Sequence, residues 1–153
     1  MREHEELLLD AIGIAWTARE RGNHPFGALL VDSYGTVLFR AANTVVTGND
    51  ATGHAETNLV RMASAGYTAE ELERTTLYTS TEPCAMCAGA IFWSGIGAVV
   101  YALPEEALYD LTGPDAPMLL LPCRTVFAAG RRSIAVTGPV ALPEARAVHE
   151  GFW

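Results

Sequence analysis

The chain has 153 residues, half of them apolar, which suits one folded domain (1–153) with a buried core. Its net charge is −8, from ten basic and eighteen acidic residues, and all ten basic residues are Arg, a balance that disfavours nucleic-acid binding because that draws its affinity from neutralised phosphates. No stretch approaches the ~20 apolar residues of a bilayer span, and three cysteines with one Cys-x-x-Cys do not make a disulfide framework.

Residues 3–21 predict an amphipathic helix. Leu8, Ile12 and Trp16 recur every four residues beside Ala11 and Ala15, and Gly22 stops the run. Glu3, Glu5 and Glu6 give this start the wrong charge for a targeting segment, and Asp10 cuts the apolar run before it, so a soluble cytoplasmic protein without membrane association is expected. Residues 27–32 and 36–41 predict a hairpin around Ser33-Tyr34-Gly35. Residues 54–65 predict a helix ending at Gly66, with Thr52 or Gly53 near its start and His54 and Glu56 in its first turn.

Residues 75–79 read as a strand. Pro83 suits the first position of the next helix, which ends near Gly95, and Cys84 and Cys87 share one face of it. Residues 98–101 predict a strand, 104–111 a short helix, 122–129 a helical turn, 133–137 a final strand and 143–149 a last helix before Gly151-Phe152-Trp153. A hairpin followed by alternating helices and strands implies an α/β sandwich with a mixed sheet.

The chemistry gathers in His54-Ala55-Glu56 and Pro83-Cys84-Ala85-Met86-Cys87. A catalytic zinc site typically has three protein ligands and an open fourth position. His54, Cys84 and Cys87 supply an imidazole and two sulfurs. Two cysteines at a helix start are well placed to be thiolates, because the positive helix end favours negative charge and zinc removes their protons. Zinc brings the pKa of a bound water to ~7, so hydroxide is available to attack an electron-poor ring carbon bearing an exocyclic amine. The ring nitrogen and the departing amine each need a proton, and one carboxylate in reach of both, Glu56, can carry them. Residues at i and i+2 point apart on a helix, so His54 as ligand and Glu56 as non-ligand proton carrier fit the spacing if the first turn is irregular. A four-ligand structural zinc, completed by Cys123, His24 or His149, is the rival reading. It leaves Glu56 and Pro83 without a task, and Cys123 reads more simply as a small buried residue.

The segments Pro25-Phe26-Gly27-Ala28, Asn49-Asp50-Ala51-Thr52-Gly53-His54-Ala55-Glu56 and Thr79-Ser80-Thr81-Glu82-Pro83-Cys84-Ala85-Met86-Cys87-Ala88-Gly89-Ala90-Ile91 resemble the cytidine deaminase superfamily. Within it they are most similar to the guanine deaminase and tRNA adenosine deaminase branch, over roughly residues 5–102. The resemblance implies a three-layer α/β/α sandwich with a five-stranded mixed sheet, one Zn2+ per subunit on His54, Cys84 and Cys87, Glu56 as proton shuttle, and a homodimer. It implies that Asn43 contacts the substrate, that the backbone N–H of Ala55 and the Glu82 carbonyl beside Pro83 hold the ring and the leaving amine, and that Phe26 lines the ring pocket. The plainer readings are a strand-end turn for Asn43 and core packing for Phe26; Trp93 reads as core or dimer packing.

This chain also departs from the pattern. Where tRNA adenosine deaminases carry a Lys-containing, Gly-rich stretch, it has Pro104-Glu105-Glu106-Ala107-Leu108-Tyr109-Asp110, which argues against tRNA. Guanine deaminases carry an acid in the loop that follows, and Asp115 falls at a similar distance, with Asp110 and Glu106 as rivals. Phe152 and Trp153 are expected to pack at an interface or to cap the site. The expected activity is zinc-dependent hydrolytic deamination of a small nucleobase-like molecule, guanine first. A tRNA wobble adenosine, cytosine, a nucleoside, a pterin or a triazine are the alternatives, and a non-catalytic zinc-stabilised interaction module is the rival from another class.

Overall fold

The computed structural model describes residues 3–153. Helix α1 (His4–Glu20) buries Leu7, Leu8, Ala11, Ile12, Ala15 and Ala18, the stripe that period-3.6 patterning demands. Trp16 was expected in that stripe, yet it is 41% exposed. It lies at the stripe's edge, where the Arg19 guanidinium covers its ring at 5.4 Å.

Strands β1 (Gly27–Val31) and β2 (Val37–Ala42) form the expected hairpin. Asp32 Oδ1 accepts the N–H groups of Tyr34 and Thr36, both at 2.9 Å, and so shapes the turn. Gly27 allows α1 to lie close on β1, since a Cβ there would collide with the backbone of Ala11 and Ala15. The chain continues through α2 (Ala55–Gly66), the short α3 (Ala69–Leu72), β3 (Thr76–Thr81), α4 (Ala85–Ser94), β4 (Ala98–Leu103), α5 (Glu105–Thr112), α6 (Cys123–Ala128), β5 (Ala135–Thr137) and α7 (Pro143–Ala147). Helix α3 had no place in the sequence reading. Its start is a capping box, in which Thr68 and Glu71 satisfy each other's backbone N–H.

The five-stranded sheet has the order β2-β1-β3-β4-β5. β1 is antiparallel to both neighbours, while β3, β4 and β5 run parallel, so the sheet is mixed as expected. Its two faces carry separate cores. Ala28, Leu30, Leu77, Val99 and Tyr101 pack under α2, α4 and α6. Leu29, Val31, Tyr78 and Val100 face α1, Leu108 of α5 and Val148 beyond α7. Alternation along each strand therefore produces the three-layer α/β/α arrangement. β1 is buried at all five positions because helices cover both faces. Among the described residues, no helix is long and apolar enough to cross a membrane.

Candidate metal centre and adjoining cavity

Two helix starts build the centre. His54 is the N-cap of α2 and Cys84 the N-cap of α4, both with extended backbone (φ −71°, ψ 150° and φ −66°, ψ 171°). Neither makes a side-chain capping bond, so both side chains turn to the space between the helices. The irregular first turn expected at His54 takes this form: the ligand precedes the helix and Glu56 lies inside it. Pro83, expected as the first helical residue, stands one residue before the cap instead, because Cys84 is still extended.

His54 Nδ1 lies 3.5 Å from Cys84 Sγ and 3.5 Å from Cys87 Sγ. All three ligand atoms fall within 4.8 Å of one another. A tetrahedral ion with Zn–N of about 2.0 Å and Zn–S of about 2.3 Å would hold its nitrogen and sulfur roughly 3.5 Å apart. The donor set and its spacing therefore fit one zinc per chain. Cys123, His24 and His149 stand outside the group. Cys123 is buried, and burial, followed by the charge of Glu82, pushes its thiol up to about 12.

The centre favours negative charge at one sulfur. Cys84 is drawn down to about 4, first by the hydrogen bond from Cys87 and also by His54. Its partner Cys87 is pushed well up by that same bond and by burial. Thr57 Oγ1 sits 3.2 Å from Cys87 Sγ. Glu56 is 6% exposed, and burial, followed by the Cys84 charge, raises its carboxyl to about 7. The Thr79 hydroxyl lies 3.0 Å from Glu56 Oε1.

The centre opens into a mostly apolar cavity of about 460 Å3, within the range of small-molecule sites. His54, Glu56, Cys84, Glu82, Phe26 and Trp153 line it, all six of them candidates from the sequence. His24, Glu105, Leu108, Tyr109, Met118 and Leu119 line it as well, and the sequence reading had given none of them this place. The cavity sits beyond the carboxyl ends of the parallel strands β3 and β4, where open α/β sheets bind ligands. That rule, applied to the residues just after the 98–101 strand, would have pointed to Glu105.

Glu82 and Glu105 have different tasks. The Glu82 carboxylate accepts the backbone N–H of Glu105 at 3.1 Å and of Cys123 at 3.0 Å. It thereby ties α5 and α6 to the segment that leads into α4. Glu105 is 2% exposed, and both its carboxyl oxygens are buried without a hydrogen-bond partner. Burial, then the charges of Glu82 and Cys84, raise it to about 8; the Leu121 backbone pulls the other way without reaching hydrogen-bond geometry.

Other candidates lie elsewhere. Asn43 is buried just beyond β2, where its Oδ1 accepts the Val45 N–H at 3.1 Å, and it is not among the cavity's lining residues. Ala55 and Pro83 are buried beside the centre, also outside the lining. Asp110 and Asp115, expected to read the substrate, are exposed and not among the cavity's lining residues, although Ala116 and Pro117 beside Asp115 are. Helix α5 turns Leu108 inward and Asp110 outward, into a cleft with Gly113 and Pro114, while Asp115 sits in the exposed turn that follows. Trp153 stands against the cavity wall, stacked on His149 with an interplanar angle of 16° and donating from Nε1 to His149 Nδ1 at 3.1 Å. Trp93, expected in packing, is 83% exposed.

Residues 1–103 match the model of the cytidine and deoxycytidylate deaminase zinc-binding region. Over 148 residues the chain is 45% identical to a probable cytosine deaminase of Schizosaccharomyces pombe, covering 95% of this chain and 90% of that one. It is 42% identical over 100 residues to the guanine deaminase of Bacillus subtilis, covering 65% of this chain and 64% of that one. The solved structure of a Bacillus subtilis guanine deaminase matches with a TM-score of 0.63 and 31% identity, over 95% of this chain and 90% of the other. A structure from studies of A-to-I editing by tRNA:A34 deaminases matches with a TM-score of 0.73 and 28% identity, over 94% and 99%.

Proposed function

Because the chain belongs to the cytidine and deoxycytidylate deaminase family of zinc-dependent hydrolytic deaminases, we propose that it removes the exocyclic amine of an uncharged free nucleobase. Guanine or a related aminopurine, the base expected from the sequence, and cytosine are the two candidates. One observation carries the reading: the metal centre, Glu56 and Glu105 share one mostly apolar cavity whose lining, among the described residues, contains no Arg, in a chain without Lys. A phosphate-bearing substrate would ask for a cation there.

When bound on His54, Cys84 and Cys87, zinc supplies a nucleophile from water at neutral pH. The chain's own residues do the rest. Glu56, whose carboxyl pKa is raised by burial, both accepts and returns a proton. It takes the proton released as the water oxygen joins the ring carbon, passes it to the adjacent ring nitrogen, and carries the next one to the departing amine. Water and the amino-heterocycle thus become the oxo-heterocycle and ammonia. Phe26 and Trp153 offer ring faces for a flat substrate, and the apolar strap at Met118 and Leu119 screens it from solvent. Tyr109 pins that strap, donating to the Leu119 carbonyl and accepting its N–H, both at 3.1 Å.

A specific observation favours cytosine. The cavity wall at 105–119 and Trp153 lies beyond the matched zinc-binding region, and the likeness to the probable cytosine deaminase spans 148 residues and so includes most of that wall. The sequence likeness to the guanine deaminase spans 100 residues, although the solved guanine deaminase structure matches over 95% of this chain. A homodimer belongs to the same reading, with exposed Trp93 on α4 as the marker of the face. Ammonia release from guanine, cytosine, adenine and their nucleosides tests the proposal. Turnover of at least one free base is expected; turnover of tRNA with no free base accepted would overturn it.

A further inference from the structure

Glu105 is a buried acid with an unmet requirement. Both carboxyl oxygens are shielded from solvent and neither has a hydrogen-bond partner, although the residue lines the cavity. Buried polar groups in folded proteins are almost always paired, so such a group marks a place for a ligand atom. Among the described residues the Leu121 backbone N–H acts on it without reaching hydrogen-bond geometry. Glu82 is itself an acceptor, filled by the N–H groups of Glu105 and Cys123. The Tyr109 hydroxyl is spent on Leu119. No Arg among the described residues lines the cavity. The Thr81 hydroxyl, which also lines the cavity, is likewise buried without a partner, so a donor on the substrate has a place beside Glu105.

Glu56 and Glu105 therefore divide the work within one cavity. Glu56 stands beside the metal ligands, where the amine leaves. Glu105 stands at the start of α5, held by its own N–H to Glu82. A donor that reaches Glu105 sits on the ring, away from the reacting carbon. Free nucleobases carry such a donor, the ring N–H that is replaced by an N–C bond in the nucleoside. Whether ionised or protonated, a carboxyl keeps an oxygen able to accept that N–H.

We propose that Glu105 is the specificity residue of this site, accepting the ring N–H that a free nucleobase carries where a nucleoside carries its sugar. The proposal rests on the deaminase reading above. A nucleoside or N-methyl base offers no hydrogen there and would leave the buried carboxyl unpaired, which is how a polar site rejects an analogue lacking one donor.

The test compares zinc-loaded wild type with Glu105→Gln and Glu105→Ala. Substrates are cytosine against 1-methylcytosine and cytidine, and guanine against 9-methylguanine and guanosine, with ammonia release as the readout. Wild type is expected to favour the N–H base over its N-methyl analogue by about 100-fold in kcat/KM. In Glu105→Ala the ratio should fall below about tenfold, through a higher KM for the N–H base, with zinc content unchanged. Glu105→Gln keeps the shape and one acceptor oxygen, so it should fall between the two, and it serves if the alanine variant does not fold. A ratio equal in all three proteins would overturn the role of Glu105 while leaving the deaminase reading intact. So would a larger loss on the nucleoside than on the base, which would assign the carboxyl to a sugar hydroxyl. If wild type releases ammonia from none of the six compounds, the functional reading itself fails, and this inference with it.

Discussion

Thr79 sets its hydroxyl oxygen 3.0 Å from Glu56 Oε1 and 2.9 Å from the backbone carbonyl of Thr81. A hydroxyl has one proton to give and lone pairs to receive. With Glu56 ionised, Thr79 donates to it. With Glu56 protonated, Thr79 accepts from it and turns its own proton to Thr81. The pair thus suits both states of a proton carrier without leaving a buried polar atom unmet. Thr79→Val keeps the shape and removes the switch. We expect kcat to fall roughly 10- to 100-fold with KM little changed and zinc retained. Steady-state ammonia release and metal analysis check this; an unchanged kcat would show that Glu56 works unaided.

If Glu56 is the proton carrier proposed above, Glu56→Gln should abolish turnover more completely, by about 1,000-fold or more, while leaving the His54, Cys84 and Cys87 group intact. The fold and one zinc per chain should persist. Burial holds the Glu56 carboxyl near 7, so its proton-accepting form is lost as pH falls through that value. A bound cation can only lower that pKa. The acid limb of kcat/KM should therefore lie at or below pH 7 and be absent from whatever activity the variant keeps.

Metal removal should act on stability as well as on activity. Three candidate ligands converge from two helix starts, so an ion held by them binds the folded chain more tightly than the unfolded one. Chelation is expected to lower Tm by roughly 5–15 °C, with zinc restoring it. Cys87→Ser should show the low Tm without chelator. Calorimetry beside elemental analysis decides; a Tm that ignores zinc would mean the two helix starts are held together by packing alone.

The centre was legible because it is local in sequence. His54 with Glu56, and Pro83 with Cys84 and Cys87, sit at helix starts, where cap and spacing rules act within a few residues. The five strands were legible for a similar reason, although β3 and β4 run on to Thr81 and Leu103, past the apolar cores that marked them. The cavity wall was not. Glu105 faces it because Thr81 pairs with Leu103 across two parallel strands and Glu82 then holds the Glu105 N–H, a register that no short window contains. Asp115, with Asp110 and Glu106 as rivals, suited the role of loop acid; the phase of α5 turns Asp110 away from the cavity lining, and Asp115 sits in the exposed turn beyond the helix. Thr68 and Glu71 are different: their capping-box spacing is local and legible in the sequence alone.

Glu82 links centre and wall, so its loss should be felt in both. Glu82→Ala frees the backbone N–H groups of Glu105 and Cys123 together. Leaving such donors unmet costs about 1–3 kcal/mol in buried settings. We expect a lower Tm and a KM raised more than kcat is lowered, because the wall moves while the zinc ligands stay. Denaturant melts and Michaelis–Menten curves measure the two effects. A variant with normal KM would show that α5 keeps its place without this tie.

Trp153 stays on the wall through a histidine that must remain neutral. His149 is 2% exposed; its Nδ1 accepts from Trp153 Nε1, and its Nε2 is buried without a partner. Burial, then the charge of Arg19, lowers its pKa to about 4. Arg19 lies close because it donates to the carbonyls of Val148 and Glu150 at 2.9 and 2.7 Å. Protonating Nδ1 would abolish the Trp153 bond. The folded pKa lies below the unfolded value of 6.5, so this contribution to stability is present above 6.5 and is lost as pH falls towards 4. The full loss is on the order of 3 kcal/mol. His149→Phe, which keeps the stack and cannot be protonated, should flatten Tm between pH 6.5 and 4 relative to wild type. Trp153 also lines the cavity, so KM in wild type should rise over the same interval and that rise should weaken in the variant. Tm profiles that run parallel in the two proteins would show that the wall does not depend on the charge of His149.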